Sequence, residues 1–156
     1  MTIVKPPYHV GIVVADLDRA SRELTEVLGV AWGRVQRREN CMESGDGTVS
    51  TVDVCFTYTL DGPPYLELIE QRAGTVFETL GLHHLGVWAN DVPAESARLD
   101  ALGWPRECVA LTPDGTWGGG LYHVGADAIR LEVVDIARSG PRLVEYLGGG
   151  DYASPA

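Results

Sequence analysis

The 156-residue sequence predicts an α+β fold made of two copies of one β-α-β-β-β module. Three observations carry that expectation. First, His9-Val10-Gly11-Ile12-Val13-Val14-Ala15-Asp16 is echoed by His84-Leu85-Gly86-Val87-Trp88-Ala89-Asn90-Asp91, with His on His, Gly on Gly and Asp on Asp. Second, a helical pattern follows each Asp and closes on Leu-Gly, at Leu28-Gly29 and Leu102-Gly103, with Trp32 or Trp104 soon after. Third, Tyr65-Leu66-Glu67-Leu68-Ile69-Glu70 matches Arg130-Leu131-Glu132-Val133-Val134-Asp135. Each copy thus puts one His on its first strand and one Glu on its last.

Taken in order, Tyr8 to Val14 is an apolar, β-rich run and reads as the first strand. Asp16 or Asp18 can cap the next helix, whose apolar positions Leu17, Ala20, Leu24, Val27 and Leu28 recur at helical spacing. Gly29 supplies its stop. Val30 to Gln36 reads as a second strand, and the polar run Arg37 to Gly47 as an exposed loop. Thr48 to Thr59, rich in Val, Thr, Phe and Tyr, is the third strand. Asp61-Gly62 signals a hairpin and leads through two prolines into a fourth strand, Tyr65 to Glu70. These elements make module one, residues 8–71.

A linker over 72–82, with a helical turn near Phe77, leads to module two, residues 83–135. It opens with a strand at His83 to Ala89, and Pro93 suits the first turn of the helix after it. Pro105 to Leu111 is the sixth strand, and Thr112 to Gly120, with Pro113-Asp114-Gly115 and three consecutive glycines, a mobile turn. Leu121 to Val124 and Ala128 to Val134 form the last hairpin. A tail over 136–156 carries a short amphipathic helix near Leu143 to Leu147 and then frays. The expectation is one domain spanning 1–156.

Bulk properties narrow the partners. Twelve basic against 22 acidic residues give a net charge of −10, which disfavours nucleic acid and anionic membranes, since both need a basic patch. No apolar run approaches the roughly 20 residues of a membrane span, and the N-terminal residues lack the apolar core of a secretory signal. Cys41, Cys55 and Cys108 are an odd number with no CxxC spacing, so free thiols and a cytoplasmic location are expected.

Alternation of strand side chains puts His9 on one face with Gly11 and Val13, and His84 with Gly86 and Trp88. Glu67 shares its face with Tyr65 and Ile69, Glu132 with Arg130 and Val134. If those faces meet, two imidazoles and two carboxylates converge. Isolated buried carboxylates are strongly disfavoured, and a divalent cation held by His9, Glu67, His84 and Glu132 removes that cost. Such a set suits Zn, Fe, Ni, Co or Mn and leaves positions open for substrate. A lone His or Glu in a strand is more often structural, but matching places in both copies reverse those odds. His83 points away from the His84 face and has no counterpart in module one, so a structural or substrate-adjacent role is expected.

The His9-Val-Gly-Ile, Leu66-Glu67-Leu68, His84-Leu-Gly-Val and Leu131-Glu132-Val133 motifs resemble the vicinal oxygen chelate superfamily, which includes glyoxalase I, methylmalonyl-CoA epimerase, extradiol dioxygenases and bleomycin-resistance proteins. The resemblance spans roughly Tyr8 to Asp135. It implies paired modules forming an open, cup-shaped mixed sheet around one metal ion, with a ligand set like that of bacterial glyoxalase I. It further implies a small oxygenated substrate, metal-assisted lyase or isomerase chemistry, and a homodimer. By that match Glu132 is the expected base, with Glu67 second. Tyr65, Trp88 and Arg130 fall beside the ligands and are expected to line a substrate pocket. His123, on the preceding strand, is expected to face the same cavity. Two alternatives remain: a small-molecule-binding protein of the resistance type, and an Fe(II) dioxygenase, whose family pattern leaves the Glu67 position without an acid. No basic cluster for glutathione or coenzyme A is evident in the sequence.

Overall fold

The computed structural model describes residues 5–148. Its eight strands run in the order β1 (His9–Val14), β2 (Gln36–Ser44), β3 (Val49–Tyr58), β4 (Tyr65–Glu70), β5 (Gly81–Ala89), β6 (Arg106–Leu111), β7 (Trp117–Val124) and β8 (Arg130–Asp135). Helix α1 (Leu17–Leu28) follows β1, α2 (Val92–Ala101) follows β5, and α3 (Ile136–Tyr146) follows β8.

The strands close into a barrel in the order β1-β4-β3-β2-β6-β7-β8-β5. β1·β4 and β5·β8 are parallel, as the helical crossover after β1 and β5 allows, and the other pairs are antiparallel. The expected mixed α+β sheet is therefore present, and where an open cup was expected the ladder closes. The closing seam is short: only Cys41 to Ser44 of β2 pair with β6.

Local chemistry fixes the helices. The Asp16 carboxylate accepts the Arg19 amide at 2.9 Å, and Gly29 ends α1 in the left-handed conformation at φ 71°. Asp91 caps α2 in the same way through the Ala94 amide at 3.0 Å. α1 packs Leu17 on Cys55 and Leu68, and α2 packs Val92 and Leu99 on Val109, Leu121 and Val133. The third cluster lies inside the barrel, where Phe56, Tyr58, Tyr122 and Val134 meet Leu143 of α3.

Four boundaries differ from expectation. Val30 to Gln36 is not a strand; apart from a Trp32–Thr59 bridge it runs beneath α3, where the Gly33 amide binds the Tyr58 carbonyl. The polar run from Arg37 is instead most of β2, since eight ladder pairs with β3 satisfy its backbone while solvent covers its outer face. β7 starts at Trp117, inside the expected turn, and its glycines admit a neighbour: a Cβ at Gly119 would stand 2.6 Å from Ser139 Oγ on α3. α3 is longer than the helix expected near Leu143 to Leu147, because Asp135 caps it through the Ala137 and Arg138 amides. The fraying expected of residues 149–156 lies outside the described residues. The three cysteines are free thiols, Cys55 and Cys108 buried.

One ion cluster ties the N-terminal segment to α2. Buried Glu95 binds Arg98 at 2.7 Å and Lys5 at 2.8 Å, and the Arg98 guanidinium, with Lys5, holds its carboxyl down at about 2. A depressed folded-state value means the stabilisation is present above the unfolded value and lost as pH falls through the folded one. Glu95→Gln should therefore cost about 1–2 kcal/mol at neutral pH. In denaturant titrations, the gap between wild type and variant should close as pH falls from the ordinary carboxylate value of 4.5 toward about 2.

Candidate metal centre

Strand pairing assembles the centre before any side chain is considered. In the antiparallel β1·β5 pair His9 faces Gly86 and Gly11 faces His84, while the parallel pairs set Glu67 beside Gly11 and Glu132 beside Gly86. The glycines are sterically required. A Cβ at Gly11 would stand inside the His84 ring, and one at Gly86 inside the His9 ring. Each module's His therefore occupies the space left by the other module's Gly.

The four expected ligands of this one chain come together. His9 Nε2 and His84 Nε2 are 2.8 Å apart. Glu132 Oε2 lies 3.0 Å from His9 Nε2 and 3.2 Å from His84 Nε2, and Glu67 Oε2 lies 3.4 and 3.3 Å from them. One donor atom from each residue falls within 4.8 Å of all the others. Two ligands at right angles, each ~2.1 Å from a cation, stand ~3.0 Å apart, so these spacings fit a shared divalent ion. His9 and His84 are essentially inaccessible to solvent.

Electrostatics point the same way. Burial lowers the His9 imidazole, but the hydrogen bonds it donates to the Glu132 and Glu67 carboxylates outweigh this and raise it to about 9. His84 is raised by the same balance. Burial likewise raises both carboxyls, yet the two imidazoles outweigh it and hold Glu67 and Glu132 well below the usual range. Protons thus neutralise the carboxylates where a cation would do so.

His83 plays a part that strand alternation did not suggest. The β1·β5 register slips between Gly11 and Ile12, which face His84 and Leu82, so His83 is the extra residue of a bulge. Its ring turns inward and is buried beside Phe77 and Tyr122. His83 Nε2–H donates to the Val76 carbonyl at 2.7 Å, so its Nδ1, 2.8 Å from His84 Nδ1, accepts. Burial and then the His84 charge lower His83 to about 4, keeping it neutral. The His84 proton is thereby held on Nδ1 and its Nε2 is aimed at the cluster. His9 has no such support, because its Nδ1 is buried without a hydrogen-bond partner.

Two tyrosines escaped the sequence reading. Tyr58 is the cross-strand partner of Glu67, and Tyr122 of Glu132. Burial first, then the adjacent carboxylates, raises both hydroxyls well above 10. A Tyr nine or ten residues before each Glu was the available signal.

Glu67, Glu132 and both tyrosines line a cavity of about 260 Å³. The four residues expected to line the pocket do not line it. Arg130 makes a two-pronged pair with Glu107, at 2.6 and 2.9 Å, at the start of β8. Trp88 stacks on Tyr8 at 3.6 Å, and it is Tyr8 that reaches the cavity. Tyr65 is buried in the core packed with Tyr8. His123 sits on the opposite face from Tyr122, where it meets Ser96 of α2 at 2.9 Å and the Trp104 carbonyl at 2.6 Å.

Comparison with known families is decisive at the coarse level. A model of the glyoxalase/bleomycin resistance protein/dioxygenase superfamily matches residues 8–120. The chain belongs to that superfamily. The match contains His9, Glu67 and His84 and stops before Glu132, so the fourth position rests on the geometry above. No curated protein matches the chain. Among solved structures, methylmalonyl-CoA epimerase from Mycobacterium tuberculosis is 18% identical at TM-score 0.60, covering 86% of this chain and 92% of that one. A Streptomyces coelicolor methylmalonyl-CoA epimerase variant with 2-nitronate-propionyl-CoA is 20% identical at TM-score 0.58, covering 85% and 95%. A hypothetical protein from Bacillus halodurans C-125 is 13% identical at 0.56, covering 85% and 95%. At these identities the likeness is one of fold.

Loading the site must expel the protons that His9 and His84 hold. Calorimetric titration with Zn²⁺ or Ni²⁺ in buffers of different ionisation enthalpy should show about one or more protons released near neutral pH. Affinity should rise with pH up to the His9 value of about 9, and a flat profile would contradict this account. His83→Phe keeps the ring packing but removes the acceptor for His84 Nδ1–H, and metal affinity should fall by about 10–100-fold with little change in melting temperature.

Proposed function

We propose that the chain is a metal-dependent isomerase or lyase that moves a proton at a carbon next to a carbonyl or carboxylate of a small oxygenated substrate. The observation that carries this reading is the pair of ionised carboxylates, one from each module, that share two imidazoles behind them and a cavity in front.

His9, Glu67, His84 and Glu132 would hold the cation, which supplies Lewis-acid stabilisation of negative charge developing on a substrate oxygen. The residues supply the rest. Glu132 anchors through Oε2, which faces both imidazoles, while its Oε1 turns toward Gly120, 3.0 Å from where a Cβ there would stand. A side chain at 120 would crowd that oxygen, so the glycine leaves it room to take a proton from carbon. Its ionised state at neutral pH makes it competent as a base. Glu67 stands in the equivalent place in module one and can return a proton from its own side. Tyr58 is its cross-strand neighbour on β3. Tyr58 and Tyr122 stay protonated and serve as donors rather than bases.

The complete set of four donors supports an enzyme over a binding protein, and the acid at position 67 supports proton transfer over ring cleavage. The test is exchange of the carbon-bound proton in D₂O, followed by NMR across small 2-hydroxy acids, 2-oxo acids and ketones. Protein purified without chelator should hold about one divalent ion and catalyse exchange on some of these compounds. Glu132→Gln should retain metal and lose at least about 100-fold in exchange rate. Full exchange by that variant would remove Glu132 as the base. Oxygen consumption with catechols would favour the dioxygenase instead.

A further inference from the structure

The cavity that receives the two carboxylates has a second, opposite chemistry at its mouth. Arg38 of β2 and Arg138 and Arg142 of α3 line it together with Glu67 and Glu132. These arginines are far apart in sequence, so no basic cluster was visible there.

Their lack of ionic partners sets them apart. Lys5, Arg19, Arg22, Arg72, Arg98, Arg106 and Arg130 each pair with a carboxylate. Among the described residues the other five basic side chains, Arg34, Arg37, Arg38, Arg138 and Arg142, form no such pair, and three of them surround this cavity. All three are exposed to solvent, and with no carboxylate of the chain paired to them their guanidiniums are free to meet an anion that enters this one cavity.

Arg38 is held in position rather than adrift. It lies over the Phe56 ring at 4.9 Å and donates from Nη1 to the Tyr146 hydroxyl at 3.0 Å. Tyr146 is parallel to Tyr58 at 6.3 Å, and Tyr58 is the cross-strand partner of Glu67. A continuous set of rings thus joins the arginine to the centre. Arg138 projects from the turn of α3 that lies against Gly119, where a Cβ would come within 3.4 Å of its Cδ.

Charge and size define the ligand. A divalent cation with two carboxylates and two neutral imidazoles is neutral overall, and three guanidiniums then make the loaded cavity strongly positive. At ~30 Å³ per water, the 260 Å³ holds the volume of roughly nine waters, which suits a compact acid. Guanidinium forks match carboxylates in two-pronged geometry. We propose that Arg38, Arg138 and Arg142 bind a distal carboxylate of the substrate, and that the substrate is a compact organic diacid whose other end presents adjacent oxygens to the metal centre. This inference rests on the metal-centre reading and adds the substrate class to it.

The test compares two probes with the same chelating end, glycolate and malate, titrated calorimetrically into the metal-loaded protein. Malate carries the extra carboxylate and should bind about tenfold tighter or more. Arg142→Gln and Arg38→Gln should each erase most of that advantage while leaving glycolate affinity and metal content unchanged. Arg37→Gln, an exposed neighbour that does not line this cavity, should leave it intact. Equal binding of the two probes, or an advantage that survives both substitutions, would overturn the arginine wall and leave the metal reading standing. Binding of neither probe by protein shown to hold its metal would overturn both.

Discussion

The antiparallel pairing of β1 with β5 is the constraint on which the rest of the structure depends. It brings the two module openings side by side in a register where His9 meets Gly86 and His84 meets Gly11. Neither half of that exchange works without the other, since each imidazole fills the volume a side chain would need. The parallel partners β4 and β8 then deliver one Glu each to the same place. A one-residue slip would turn the ligands to the opposite face. The bulge at His83 lies just beyond this register and adds an inward ring without disturbing it.

Much of this was legible because the signal was repeated. One His or Glu in an apolar strand says little, but the same pair at matching places in two copies identified four residues that do converge. Helices α1 and α2 were legible from their start and stop signals, and β1 and β4 from their apolar runs. Polarity misled the reading of β2, whose outward positions are wetted and whose backbone is satisfied by β3. The glycines of β7 were read as a turn, although Gly119 lets α3 approach and Gly120 leaves room for Glu132. His83 was assigned to the wrong side because alternation assumes an unbroken ladder. The arginine wall had no local signature at all, since residues 38, 138 and 142 meet only after the barrel has formed.

The two faces of the barrel wall divide the work. The outward face of each module packs beneath its own helix in an almost wholly apolar layer, with Leu68, Val109, Leu121 and Val133 fully buried. The inward face carries the polar load: two imidazoles, two carboxylates and two tyrosines, with His9 Nδ1 buried and without a hydrogen-bond partner. His123 shows the division from the other side, as a buried imidazole that serves only to tie α2 to β7 through Ser96. Ionisable groups on the inner face are therefore held to shifted values by one another, and the apolar layer keeps water from relieving them.

The short seam between β2 and β6 has a consequence for how the molecule meets other chains. Barrels normally leave no free strand edge, but here only the last four residues of β2 are joined to β6, and Gln36 to Asn40 have backbone groups unpaired on that side. Such an edge is a template for the strand of a stranger. It carries Arg37, Arg38 and Glu39 in succession, and charged side chains on an open edge make intermolecular β-pairing and aggregation unfavourable. The gap in the barrel is thus guarded by the charges of its own edge.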